Sequence, residues 1–204
     1  MDFKSFLLLA KSRRSVRKYT TQKVTHEIIE QLIEAASWAP SNHNRQGWKF
    51  IIFEDQQEIH ALAEKIRNFI SKSLEKSHKI IAGQVQELIY YSGVFDQAPI
   101  LILAMHKKSP TVGKSIMDLA TSELASGEAI STAMACQNLL LATQALGLGA
   151  CVMTAPLLAG PILKSLDNLP MGYEPTCLIT VGYPAETPQA PRRKKIEHII
   201  EYRR

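Results

Sequence analysis

Residues 129–151 read Ala129-Ile-Ser-Thr-Ala-Met-Ala-Cys-Gln-Asn-Leu-Leu-Leu-Ala-Thr-Gln-Ala-Leu-Gly-Leu-Gly-Ala-Cys151. Small and apolar residues cover most of the circumference of a helix over 129–146, and Gly147 and Gly149 stop it. A helix without a polar face must lie at the centre of a domain or in a subunit interface. Beyond the glycines, 150–153 and 176–181 read as short strands, with a helix near 157–166 between them. Upstream, Pro99-Ile-Leu-Ile-Leu-Ala104 is apolar on both alternating faces, the mark of a strand covered on both sides.

The N-terminal half adds amphipathic segments. Residues 2–11 suggest a short helix running into a basic loop at 12–19. Apolar residues at 28, 29, 32, 33 and 36 form a helical stripe, with Thr25 placed as its N-cap. That helix ends before Pro40, and a polar loop follows, Pro40-Ser-Asn-His-Asn-Arg-Gln-Gly47. Trp48–Phe53 reads as a strand, and 55–70 and 78–91 as amphipathic helices around a Lys/Ser-rich stretch near 71–79. The segment 106–127 reads as a loop or cap. This irregular mixture of strands and helices, over a length suited to one substantial domain, predicts a single α+β or α/β domain across 1–204.

A hydrophobic content of 46% with 21% charged residues is ordinary for a soluble globular chain. No stretch reads as a signal peptide or a membrane span, so a cytoplasmic protein without a membrane partner is expected. Cys136, Cys151 and Cys177 sit in apolar surroundings and are read as small buried residues. The histidines lack zinc-ligand spacing, so no metal is expected.

The charge is unevenly placed. Of 24 basic residues, nine lie in 11–18 and 192–195; the remainder, 15 against 19 acids, is mildly acidic. Arg13, Ser15 and Arg17 share one face of an extended segment, and Arg14 points the other way. Two guanidinium forks and a hydroxyl suit one compact phosphate better than a long polyanion. A solvated charge run is the plainer alternative. Nucleic acid is disfavoured because no recognition helix or RNA platform accompanies the cluster. Neither common glycine-rich phosphate loop is present.

Four segments, in order, resemble the nitroreductase family of FMN-dependent oxidoreductases. They are Arg13-Arg-Ser-Val-Arg-Lys-Tyr19, Ala39-Pro-Ser-Asn-His-Asn-Arg-Gln-Gly-Trp48, the 137–151 helix end with its Gly-Leu-Gly turn, and Val181-Gly-Tyr-Pro-Ala185 followed by Arg193 and Lys194. The resemblance implies an α+β sandwich with a mostly antiparallel central sheet flanked by helices. It implies an intertwined homodimer with two FMN sites at the interface. On that basis Arg13, Ser15 and Arg193 hold the phosphate and ribityl chain, with Arg14 nearby and Lys194 as a helper. Arg17 lies by the pyrimidine edge of the flavin. Pro40, Ser41, Asn42 and Asn44 reach the flavin from the other subunit, and the backbone at Thr154 and Ala155 faces its N5 side. Three departures stand out: Gly47 replaces a usual proline, the turn continues Cys-Val-Met-Thr-Ala155, and Lys194-Lys195 replaces Lys-Pro.

The implied activity is a ping-pong cycle in which NAD(P)H gives hydride to flavin N5 and an electron-poor nitroaromatic or quinone then takes it. The flavin carries the redox chemistry, so no catalytic acid or base is required of the chain. Dehydrogenation, reductive dehalogenation, flavin cleavage and a non-catalytic flavin-binding role are the alternatives. The segments 106–127 and 71–79 are expected to shape the acceptor pocket.

Overall fold

The computed structural model describes residues 2–74, 82–108 and 127–203. Four strands form one antiparallel sheet: β1 (Trp48–Phe53), β2 (Ile100–Lys107), β3 (Gly149–Met153) and β4 (Tyr173–Gly182), in the order β1-β2-β4-β3. The α+β class is as expected. Side-chain alternation along β2 and β4 divides the interior. Ile100, Ile102, Ala104, Ile179 and Val181 face one layer, while Leu101, Leu103, Met105 and Leu178 face the other.

The first layer is built by α2 (His26–Ser37) and α5 (Gly127–Ala145). Thr25 caps α2 as expected, its hydroxyl accepting from the Ile28 amide at 3.4 Å. The expected stripe packs Ile29, Leu32 and Ala36 against Ala135, Cys136, Leu139 and Leu140 of α5. Each large aliphatic side chain buried here contributes about 2 kcal/mol. The second layer is α3 (Gln56–Leu74), with Ile59, Leu62, Ile66 and Ile70 turned inward. It is stapled through Arg67, which donates to Asp96 Oδ2 and to the Gly93 carbonyl, each at 2.6 Å. α4 (Ala82–Ser92) leads into that staple through a 3-10 turn at Val94–Gln97.

Several boundaries differ from the expectation. Residues 71–74, expected to open a polar break, instead continue α3, because Leu74 lies one turn beyond Ile70 and extends its apolar stripe. His106 and Lys107, expected to open the loop or cap, still belong to β2, where they pair with Glu174 and Tyr173. The rest of that expectation, 109–126, lies outside the described residues, as does 75–81. The helix expected near 157–166 is split into a 3-10 turn, Ala155–Ala159, and a short helix, Gly160–Lys164, each with a proline in its first turn. Among the described residues, no helix is long and apolar enough to cross a membrane.

The sequence left two places open for α5; the structure buries one face, with Ser131, Thr132, Ala135, Leu139 and Thr143, in the chain's own core. It leaves Ile130 and Met134 more than 40% exposed on the other. α1 (Phe3–Ser12), capped by Asp2, likewise leaves Phe3 and Leu8 exposed.

Candidate functional site

The basic segment expected as a loop at 12–19 is an added edge of the sheet. The Val16 amide donates to the Ala150 carbonyl at 3.0 Å, in a parallel bridge of Ser15 with Ala150. Further on, the Thr20 amide donates to Tyr183 and the Ala185 amide donates to Lys18, both at 2.9 Å. The segment thus lies beside β3 and then beside the continuation of β4. Val16 is its buried anchor and rests directly on Gly149, where an added Cβ would come within 2.7 Å of Val16.

Two residues absent from the expected site fix this edge. The Tyr19 hydroxyl lies 2.5 Å from the Val16 carbonyl and 2.6 Å from Thr180 Oγ1. Burial pushes its phenol well above the usual range, so it stays protonated. The Glu186 carboxylate accepts from the amides of Arg17 and Lys18 at 2.6 and 3.1 Å. One signal for Glu186 was available in the sequence: it is the sole acid between Glu174 and Glu197, on the approach to the second basic cluster. Tyr19 closes the first family-like segment, 13–19, but nothing in the sequence gave its hydroxyl a partner.

The bridge makes Arg13, Ser15 and Arg17 alternate with Val16, as the shared parity predicts. All three act on Cys151 of β3: burial raises its thiol pKa, while Arg17, the Ser15 hydroxyl and Arg13 oppose the rise. Among the described residues, the guanidinium groups of Arg13 and Arg17 make no hydrogen bond or ion pair. Arg14 is turned away, its guanidinium donating to the carbonyls of Lys11 and Arg13 at the end of α1. Arg17 and Ser15 border a cavity of about 400 Å³ that Tyr90, Asp96 and Gln97 also line. Thr154 starts the 3-10 turn after β3; its carbonyl accepts from Leu157 at 2.9 Å, and Ala155 is half-buried. Arg193 and Lys194 lie on an exposed C-terminal stretch.

The 40–46 loop is built elsewhere, on the first turns of α5. The Asn42 amide donates to Ser131 Oγ at 3.0 Å, and that hydroxyl donates to the Gly127 carbonyl at 2.6 Å. Arg45 pairs with the buried Glu128 carboxylate at 3.1 Å. Within the loop, His43, Asn44 and Gln46 adopt left-handed φ angles of 51°, 53° and 48°. That conformation costs a residue with a side chain about 1–2 kcal/mol, asparagine less. The loop therefore holds its shape through contacts. Ser131 and Glu128 were missed in the sequence, although polar side chains in an otherwise apolar helix were the available signal.

Close by, His106 Nδ1 lies 2.8 Å from Thr176 Oγ1. Burial holds its imidazole below the ordinary value, against the opposing pull of Glu174 and Glu128. The three cysteines are buried and free, as read from their apolar settings. Cys136 and Cys177 approach to 3.7 Å, and their hydrogen bond together with burial drives the Cys177 thiol pKa up.

The two groups of candidate residues occupy opposite ends of α5. Asn42 is pinned near Ser131, whereas Ser15 sits beside Ala150, past the other end. The helix rise between Ser131 and Ala145 alone is about 21 Å. One chain thus presents two separate groups of candidate residues, one cationic and one loop-borne.

This architecture has close counterparts. A BluB-like flavoprotein from Clostridium difficile superposes over 100% of both chains with a TM-score of 0.78 at 21% identity. Iodotyrosine deiodinase, solved with FMN and 3-iodo-L-tyrosine, matches 97% of this chain and 98% of its own with a TM-score of 0.74 at 24% identity. In sequence, iodotyrosine deiodinase 1 of Mus musculus is 31% identical over 212 residues, 98% of this chain and 70% of the mouse protein. The Homo sapiens protein is also 31% identical, over 96% of this chain and 67% of its own length. The family model described as "Nitroreductase family" matches residues 10–183, from the end of α1 through β4. That span contains the whole sheet and both groups of candidate residues except the C-terminal cations, and the chain belongs to the nitroreductase family.

Proposed function

We propose that this chain is an FMN-dependent oxidoreductase that acts as a homodimer and reduces a small electron-poor molecule. The observation that carries this reading is the sheet edge holding Arg13, Ser15 and Arg17. Two guanidinium groups without partners among the described residues flank a hydroxyl there, beside β3, whose end leads into the backbone turn at Thr154 and Ala155. Such a donor set fits a phosphomonoester followed by a polar, electron-rich ring edge. FMN bound there supplies two-electron redox chemistry, which the side chains lack.

The roles of the chain's residues follow from their placement. Arg13 and Ser15 donate to phosphate oxygens, and Arg193 and Lys194 on the exposed tail add further positive charge. Arg17 stands along the segment from them and meets the ring edge where negative charge grows on reduction. A fixed cation there favours the reduced state. The backbone amides of Thr154 and Ala155 offer donors to the ring. The loop bearing Pro40, Ser41, Asn42 and Asn44 sits about 20 Å away along α5, so it serves a second copy. The uncovered Ile130 and Met134 face supports antiparallel pairing of two such helices, which brings one chain's loop to the other's cations.

A second reading concerns the acceptor. The curated relatives named above are deiodinases, which favours reductive dehalogenation of a halogenated aromatic over nitro reduction. NAD(P)H is the proposed reductant in the first reading; the second needs only a source of electrons to the flavin.

The absorption spectrum of the purified protein tests the cofactor: a colourless protein that cannot be reconstituted with FMN defeats the proposal. Anaerobic mixing with NADH or NADPH then tests the reductant by loss of flavin colour. Iodide release from 3-iodo-L-tyrosine by the dithionite-reduced protein, compared with consumption of a nitroaromatic, separates the two acceptors.

A further inference from the structure

We infer that Ser131 and Glu128 are positioning residues for the flavin site of the partner subunit, acting through the 41–46 loop; this rests on the FMN homodimer proposed above. Neither side chain is placed to meet a cofactor. Both grip the loop that does.

The two grips bracket the strained stretch. Ser131 Oγ uses both of its hydrogen-bonding functions, donating to the Gly127 carbonyl at 2.6 Å and accepting the Asn42 amide at 3.0 Å. The hydroxyl hydrogen is thereby committed, which leaves a lone pair aimed at Asn42. On the other side, Glu128 is 6% exposed and accepts from Arg45 at 3.1 Å. Between Asn42 and Arg45 lie His43 and Asn44, both left-handed, and Gln46 just beyond is left-handed too. Gln46 in turn donates its amide to Ser41 Oγ at 3.0 Å, which closes the loop on itself. Gly127 lets the loop come this near, since a Cβ there would lie 3.0 Å from Asn42 Nδ2.

A backbone held in unfavourable dihedrals relaxes when its anchors are removed. Asn42 and Asn44 then lose their direction, while the α5 core beneath, built on Ala135 and Leu139, is untouched. Because each loop serves the other chain's cations, the defect belongs to the partner's site. A residue that merely stabilised its own chain would not behave in this way.

The test is complementation between subunits. A Ser131→Ala homodimer is expected to bind FMN about tenfold more weakly than wild type, as loss of a buried hydrogen bond to the loop predicts. Two-tag co-expression then gives a mixed dimer of one Arg13→Ala subunit and one Ser131→Ala subunit. Both defects fall in one site and the other site has two native halves, so one FMN per dimer should bind with wild-type affinity. Two weakened sites in the mixed dimer, or wild-type affinity in the Ser131→Ala homodimer, overturns the inference while the FMN reading stands. If Ser131→Ala does not fold, Arg45→Ala, whose side chain is half exposed, takes its place in the same cross with the same outcomes. A wild-type protein that binds FMN only as a monomer also overturns it, and one that binds no FMN removes the underlying reading as well.

Discussion

The amide of Val16 donates to the carbonyl of Ala150 at 3.0 Å, and this bond turns a run of basic residues into the edge of a sheet. It places Ser15 on one side of Val16 and Arg17 on the other, both beside β3. A cation on a free loop would spread over many positions, whereas one on a sheet edge has a fixed origin.

That edge depends on Gly149, because Val16 occupies the space of a Cβ. Gly149→Ala is expected to push the segment away at a cost of about 1–3 kcal/mol, a fall in Tm of roughly 3–10 °C for a chain of this size. FMN content should fall with it. Thermal melting and flavin-to-protein absorbance check both, and a variant unchanged in each would show that the contact yields easily.

Tyr19→Phe removes the hydroxyl shared by the Val16 carbonyl and Thr180. Loss of that buried bridge is expected to cost about 1–3 kcal/mol, seen as a lower midpoint in urea. An unchanged midpoint would mean that the freed carbonyl finds another donor.

Arg17→Ala leaves the backbone bonds to Glu186 in place, so folding should be nearly unaffected. Removing a cation beside the reduced ring is expected to lower the flavin potential by roughly 30–60 mV, the two-electron equivalent of one charge-assisted hydrogen bond. Potentiometric titration of wild type and variant reads this directly. Equal potentials would take Arg17 away from the ring.

His106 provides a pH prediction. Its pKa is lowered in the folded chain from the ordinary 6.5, chiefly by burial. Protons therefore bind the unfolded chain more readily, and stability is lost as pH falls below about 6.5 toward the folded value. Glu174, also lowered, has a carboxyl that titrates from an ordinary 4.5 downward, so its loss comes at lower pH. His106→Gln should lose less Tm than wild type between pH 7 and pH 5. Identical slopes would place the titration elsewhere.

Much of this was legible in the sequence. The doubly apolar run at 99–104 identified the central strand, since only a strand covered on both faces tolerates it. The stripe of α2, its Thr25 cap and the Gly147 stop had local causes: side-chain period, a capping hydroxyl, and a glycine that takes a φ of 72°. The parity of Arg13, Ser15 and Arg17 survived as well, because an extended segment alternates wherever it lies. The basic segment itself was read as a loop. A bridge as short as that of Ser15 with Ala150 has no periodicity to betray it, and its partners lie far along the chain.

The sequence by itself determined where the cations and hydroxyls are concentrated and which elements bury their faces, because charge, side-chain period and turn type are local properties. Tertiary structure decided where those residues meet. Strand pairing set Ser15 beside Ala150, the first turns of α5 gripped the loop at Asn42 and Arg45, and the length of α5 held that loop apart from the basic edge. Those relations arise from hydrogen bonds and packing between distant segments, which no single stretch of the chain contains.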